Sequence, residues 1–428
     1  MSKQSFTLDD ARKLDAGDPL ASFRDQFHLP PGKDGKPQIY FCGHSLGLQP
    51  KTTTQIVADE LDDWQRLGVE GHFRSRHPWM PYHRFLTEHT AELVGALPSE
   101  VVNMNSLTVN LHLMMVSFYR PQGERRKLLI EKGAFPSDRY AAESQVLFHG
   151  LDPATDLLEI APRDGENTIR DEDLLRIIDE QGKQIALIML PGVQYYTGQV
   201  FDMATITEAA HNKGCLAAFD LAHTAGNIPL RLHDWGVDFA AWCSYKFLNS
   251  GPGSVAGCFV HERHGQDRQL PRFAGWWGHD QESRFEMGPE FKPMPGAEGW
   301  QISNPPILAL APVLASLEIF HTAGMERLRE KSLSLTALME TLLLERLGDK
   351  LEILTPEEPV KRGCQLSIRL TGQHGDRESR REVFDALTAR DVICDWREPD
   401  VIRAAPVPLY NSHADVWCFV ERLGECLE

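Results

Sequence analysis

Lys246 follows an apolar run, Phe239–Trp242, and opens a small-residue loop within DFAAWCSYKFLNSGPG, residues 238–253. Asp220 lies near the end of a second apolar run, LAAFDLAH, residues 216–223. An amine and a carboxylate at the ends of two buried strands are what a pyridoxal phosphate enzyme requires. The lysine holds the cofactor aldehyde as a Schiff base, and the carboxylate keeps the pyridine nitrogen protonated so that the ring accepts electrons. A lysine after a strand is by itself usually a solvated loop residue. Its place downstream of Asp220 and His223 gives it weight.

Other segments fit the same chemistry, each with a plainer reading beside it. Residues 103–108 (NMNSLT) precede an apolar helical run, 109–118, and a helix N-terminus offers free N–H groups to a phosphate. The same residues are equally an ordinary N-cap. Gly251, Gly253 and Gly257 read as phosphate-loop or simple turn residues. Phe135, restrained by Pro136, is placed to stack on a flat ring or to fill the core. His223 either hydrogen-bonds the cofactor or is a satisfied core histidine. Arg403 stands in an apolar, proline-rich stretch, DVIRAAPVPLYN. It is there for bidentate pairing with a substrate carboxylate or for an internal ion pair.

These residues need a rigid frame. Continuous apolar strands at 128–130, 185–190, 216–220 and 239–243, with a crossover helix at 204–213, predict a mostly parallel sheet covered on both faces. Ligands of such sheets bind beyond the carboxyl ends of the strands, where Asp220 and Lys246 fall. An amphipathic helix is expected over 52–67, with Val57, Leu61 and Trp64 on one face and Glu60, Asp62 and Asp63 among the polar positions. A long helical region at 308–347, broken near Gly324, a strand at 365–370, a helix at 377–388 and a strand at 392–395 predict a smaller α+β C-terminal domain. The division is an N-terminal segment, 1–60, serving the small domain and a dimer contact; a large α/β domain, 61–310; and the small domain, 311–428.

Of 428 residues, 42% are hydrophobic and 25% charged, and the formal net charge is −17. That charge disfavours nucleic-acid and anionic-membrane partners. The first thirty residues have no apolar core of signal-peptide length. Eight cysteines show no C-x-x-C spacing, and most lie in apolar runs as small hydrophobes. A reduced cytoplasm and no metal site are expected.

The segments IYFCGHSLGLQP, NSLTVN, FPSDRY, PGVQYYTGQ, FDLAH, HDWGVDFAAWCSYKFLNSGPG, GWWGH, QISNPP and IRAAPVPLYNS, from residue 39 to 412, together resemble the kynureninase family. These are pyridoxal phosphate enzymes of the aspartate-aminotransferase-like fold. The resemblance implies that Lys246 carries the cofactor, Leu107 and Thr108 contact its phosphate, and Phe135, Pro136, Ser137 and Asp138 embrace its ring. It implies that Asp220 and His223 bind the nitrogen edge and that Tyr245 reaches the phosphate. Trp276 and Asn304 match positions that complete the site from a second subunit, hence a homodimer. Ser45, His72, His279, Ser303, Asn304 and Arg403 match the substrate side. Where the family can place a cofactor-binding serine, this chain has Pro191.

The implied reaction is hydrolysis of L-kynurenine or L-3-hydroxykynurenine to L-alanine and anthranilate or 3-hydroxyanthranilate, with Tyr245 as an acid–base group or a phosphate ligand. Polar His72, Ser303 and Asn304 at the aryl end predict a preference for the hydroxylated substrate. Two alternatives stand beside this. One is another enzyme of the superfamily, an aminotransferase or a cysteine desulfurase, which needs a reactive thiol. The other is a catalytically silent ligand-binding dimer, which has no reason to keep Asp220, Lys246 and Arg403 together.

Overall fold

Residues 6–428 are described by a computed structural model of the chain. Its centre is a seven-stranded sheet in the order Val101–Asn103, Gly257–Val260, Phe239–Trp242, Leu216–Asp220, Ile185–Pro191, Lys127–Glu131, Leu157–Ile160. Neighbours run parallel except at Gly257–Val260, which is antiparallel to both strands beside it. Alternate residues of the strands enter two separate cores. Leu129, Ile188, Phe219 and Ala240 pack on one face, and Leu128, Met189, Ala218 and Ala241 on the other. Burial on both faces is why these strands read as unbroken apolar runs rather than as alternation.

The register brings the functional strand ends together. Pro191 is paired with Asp220, and Asp220 with Ala241, so three strands finish side by side under the loop that carries Lys246.

A second sheet is antiparallel, in the order Asp395–Arg397, Val401–Ala404, Leu366–Leu370, Leu351–Ile353. Its core includes Leu335, Leu366, Ile402 and Phe419, together with Ile39 and Phe41 from near the start of the chain. The long helical region is two helices, Ile307–Ala323 and Met325–Leu347, bent by 80° at Gly324. The first packs mainly into the large core through Leu310, Val313 and Phe320. Among the described residues no single helix is long and apolar enough to cross a membrane.

The helix Thr52–Leu67 forms where expected, but turned the other way. Glu60 and Asp63 are 2% and 1% exposed, whereas Leu61 and Trp64 are 45% and 60% exposed. Each buried carboxylate has a donor: Trp79 Nε1 donates to Glu60 at 2.9 Å and the Arg76 backbone N–H to Asp63 at 2.7 Å, although Glu60 Oε1 has no hydrogen bond. The apolar face, continued by exposed Val69 and Phe73, lies on the surface of the chain.

Candidate active site

Beyond the strand ends lies a cavity of about 290 Å³ whose wall includes Leu107, Thr108, Phe135, Ser137, Asp138, Asp220, His223, Tyr245 and Lys246. Two helices begin at its rim. Leu107–Phe118 starts after Ser106, whose side chain does not cap it, so its first backbone N–H groups are available to an anion. Pro136–Phe148 starts with a proline that has no N–H. The Thr108 and Ser137 hydroxyls hydrogen-bond at 2.8 Å and tie the two starts together.

Lys246 Nζ lies 3.0 Å from His223 Nε2 and 5.8 Å from the centre of the Phe135 ring. Burial, then Lys246, hold the His223 pKa well below its ordinary value, and its Nδ1 is buried without a partner. A neutral imidazole accepting at Nε2 carries its proton on that unpaired Nδ1. Burial, followed by Cys243, raises the pKa of Tyr245, so its hydroxyl stays protonated.

Asp220 accepts the Ala222 backbone N–H at 2.6 Å and hydrogen-bonds to Asp138. Burial raises the pKa of both carboxyls, and their mutual bond raises Asp138 while lowering Asp220. With both carboxyls raised, the pair holds one proton between them. Glu131, at the end of the next strand but one, is pushed up to about 8 by burial and neighbouring carboxylates.

Arg403 is 1% exposed and sits directly across from Asp395 in the antiparallel ladder. Its Nε donates to Asp395 at 2.8 Å, its Nη2 donates to the same oxygen, and its Nη1 donates to the Tyr195 carbonyl at 2.7 Å. The internal ion pair is thus present. Three of five guanidinium N–H groups are engaged, leaving one on each terminal nitrogen, which is the number a carboxylate fork takes.

Proteins named kynureninase match this chain over nearly its whole length. "Kynureninase" of Koribacter versatilis is 61% identical over 412 residues, covering 96% of each chain. "Kynureninase" of Myxococcus xanthus is 58% identical at the same coverage. A family profile described as Kynureninase C-terminal domain matches residues 328–423. The chain belongs to the kynureninase family. Its fold is also that of solved cysteine desulfurases. One from Thermococcus onnurineus gives a TM-score of 0.72 at 17% identity, covering 91% of this chain and 94% of that one. One from Escherichia coli gives 0.74 at 17%, covering 95% and 98%.

Not every residue that the kynureninase resemblance marked reaches the cavity within one chain. Ser45 lies outside its wall, in a segment whose Gly47 presses on the Lys246 carbonyl, where an added Cβ would come within 2.3 Å of it. His72 bonds Val69 O at 2.9 Å and packs edge-on to Trp79. Trp276 and His279 line a separate groove of about 350 Å³, and Ser303 and Asn304 are exposed.

Sequence reasoning passed over several neighbours. Glu131 and Tyr195 line the cavity. His44 is fully buried with both ring nitrogens unpaired; burial and then Arg403 hold its pKa well below the ordinary value. The signal for His44 was its place beside Ser45; Glu131 closes the strand expected at 128–130.

Proposed function

We propose that this chain is a pyridoxal 5′-phosphate-dependent kynureninase. It adds water across the Cβ–Cγ bond of L-kynurenine or L-3-hydroxykynurenine, releasing L-alanine and anthranilate or 3-hydroxyanthranilate. The observation that carries this is Lys246 in one cavity with the proton-sharing Asp138–Asp220 pair and an uncapped helix N-terminus, in a chain 61% identical to a kynureninase.

The residues fit the cofactor at each end. The start of Leu107–Phe118 and the Thr108 hydroxyl suit its phosphate, Phe135, Pro136 and Ser137 its ring face, and Asp220, backed by Asp138, its pyridine nitrogen. His223 Nδ1 is an unpaired group to be satisfied. Pro191, opposite Asp220, offers only hydrocarbon, so the serine contact found in the family is absent. When bound, the cofactor supplies an electron sink for the amino acid. Lys246 Nζ holds its aldehyde and, once freed by substrate, takes the proton from Cα. Arg403 offers its two remaining N–H groups to the substrate carboxylate. Tyr245, kept protonated, donates from its hydroxyl in the later steps or holds the phosphate.

The desulfurase alternative fares poorly. Burial raises the thiol pKa of Cys42, Cys258 and Cys364 to about 12, and Cys243, beside Tyr245, is raised as well. A reactive thiol needs the opposite shift. An aminotransferase is disfavoured by the near full-length match to kynureninases, and a silent protein by the intact lysine and carboxyl pair.

The same reading makes the protein a cytoplasmic homodimer serving tryptophan catabolism and NAD biosynthesis. Eight free cysteines support the reducing compartment. Exposed Leu61, Trp64 and Phe73, and Phe273, Trp276 and Phe285, support a second copy that brings His72, Trp276, His279, Ser303 and Asn304 to the opposite cavity. The N-terminal segment 1–60 serves the small domain, and the passage between lobes lies near residue 310, within a helix whose Leu310, Val313 and Phe320 pack into the large core. The test is purified holoprotein offered both kynurenines, L-cysteine and an amino acid with an oxo-acid acceptor. Aryl-amine product with equimolar alanine supports the reading; sulfide or transamination alone refutes it.

A further inference from the structure

Outside the cavity, two helices hold metal-ligating side chains against each other. Thr87–Val94 carries His89 and Glu92, three residues apart and so neighbours on its surface. Ile307–Ala323 carries His321 in its last turn. His321 Nδ1 is 2.6 Å from Glu92 Oε2, and His89 Nδ1 is 3.9 Å from the same oxygen. The two imidazoles face one another, with centroids 4.3 Å apart and planes at 31°. One ligating atom of each group lies within 4.8 Å of the other two.

An ordinary ion pair accounts for only part of this. It uses Glu92 and His321 and leaves the His89 ring without a hydrogen bond among the described residues. The side chains of His89, Glu92 and His321 are 29%, 55% and 53% exposed, and they border an open groove of about 300 Å³. Water therefore has room to fill further coordination positions. Arg327 also borders the groove, but its Nη2 donates to the Thr322 carbonyl, which draws the guanidinium onto the helix end. Glu326 adds a negative charge nearby.

We propose that His89, Glu92 and His321 form a binding site for a divalent transition-metal ion of the zinc class. Two imidazoles and one carboxylate with an open position are a zinc donor set. Imidazole selects zinc, copper and nickel over magnesium and calcium, which take oxygen ligands. The site departs from the expectation of no metal. His89 and Glu92 are close in sequence, but the third ligand, His321, lies 229 residues beyond Glu92. The ion ties Thr87–Val94 to the helix that ends at Ala323, immediately before the 80° bend at Gly324. It stabilises the fold because the unfolded chain presents no such cluster.

The test uses full-length, cofactor-loaded protein, freed of metal by a chelator and titrated calorimetrically with Zn²⁺ alone. Co²⁺ is added separately for its absorption spectrum, because eight thiols are also present. One equivalent of Zn²⁺ should bind and raise the melting temperature, and the Co²⁺ spectrum should lack thiolate bands. His89→Ala, His321→Ala and the isosteric Glu92→Gln should each weaken that equivalent at least tenfold while turnover without metal is unchanged. No binding by the wild type, thiolate bands from the one equivalent, or unaltered affinity in a folded variant overturns the proposal. None of these outcomes bears on the catalytic reading, which rests on other residues.

Discussion

Asp138 and Asp220 face each other beyond the strand that ends at Asp220, and burial raises the pKa of both, so the pair holds a proton between them. A buried acid thus backs the carboxylate assigned to the pyridine nitrogen. Asp220→Ala should remove that charge and lower kcat/KM by roughly two to four orders of magnitude, matching the 3–5 kcal/mol lost when one partner of a buried charged pair is deleted. Steady-state kinetics on cofactor-saturated protein check this. A rate and cofactor affinity within twofold of wild type would assign the role to another acid.

Arg403→Lys should raise KM about 10- to 100-fold, because a charge-assisted hydrogen bond is worth about 1.5–3 kcal/mol and an ammonium cannot reproduce the fork. Cofactor affinity should change little. An unchanged KM would confine Arg403 to its ion pair with Asp395.

Much of this frame was legible because a parallel sheet writes itself as unbroken apolar runs, and Leu216–Asp220 agrees with expectation at both ends. The orientation of Thr52–Leu67 was not legible. Glu60 and Asp63 are buried because Trp79 and the Arg76 backbone, distant in sequence, supply their hydrogen bonds. Short edge strands such as Val101–Asn103 carry too few residues to show a period. In the site, Lys246, Asp220 and Phe135 announced themselves by position. Glu131 and His44 matter only through what the fold sets beside them.

Glu298 supplies a pH-dependent part of stability. Burial works to raise its pKa, but hydrogen bonds from His83 and Arg84 outweigh it and bring the pKa to about 2. A depressed carboxylate stabilises the fold fully above its unfolded pKa, near 4.5, and loses that contribution as pH falls through about 2. Glu298→Ala should therefore cost about 3 kcal/mol in urea unfolding at pH 7, and the gap to wild type should shrink below pH 4. A gap that is constant from pH 7 to pH 3 would contradict this.

The hydroxylated substrate should have the higher kcat/KM. In the proposed dimer His72, Ser303 and Asn304 come to the aryl end of the opposite cavity, and leaving their hydrogen-bonding atoms unpaired against a bare ring would cost roughly 1–3 kcal/mol each. His72→Trp with Asn304→Thr should move preference toward kynurenine. Equal or better kcat/KM for kynurenine in the wild type would refute this preference, and the family assignment would stand.

The central claim is that one amine, Lys246 Nζ, both holds the cofactor and carries the substrate proton. Lys246→Ala, purified folded and supplied with cofactor, should lose the visible absorbance of the lysine-bound cofactor and show no detectable release of anthranilate or 3-hydroxyanthranilate. Wild-type turnover in that variant would contradict the account.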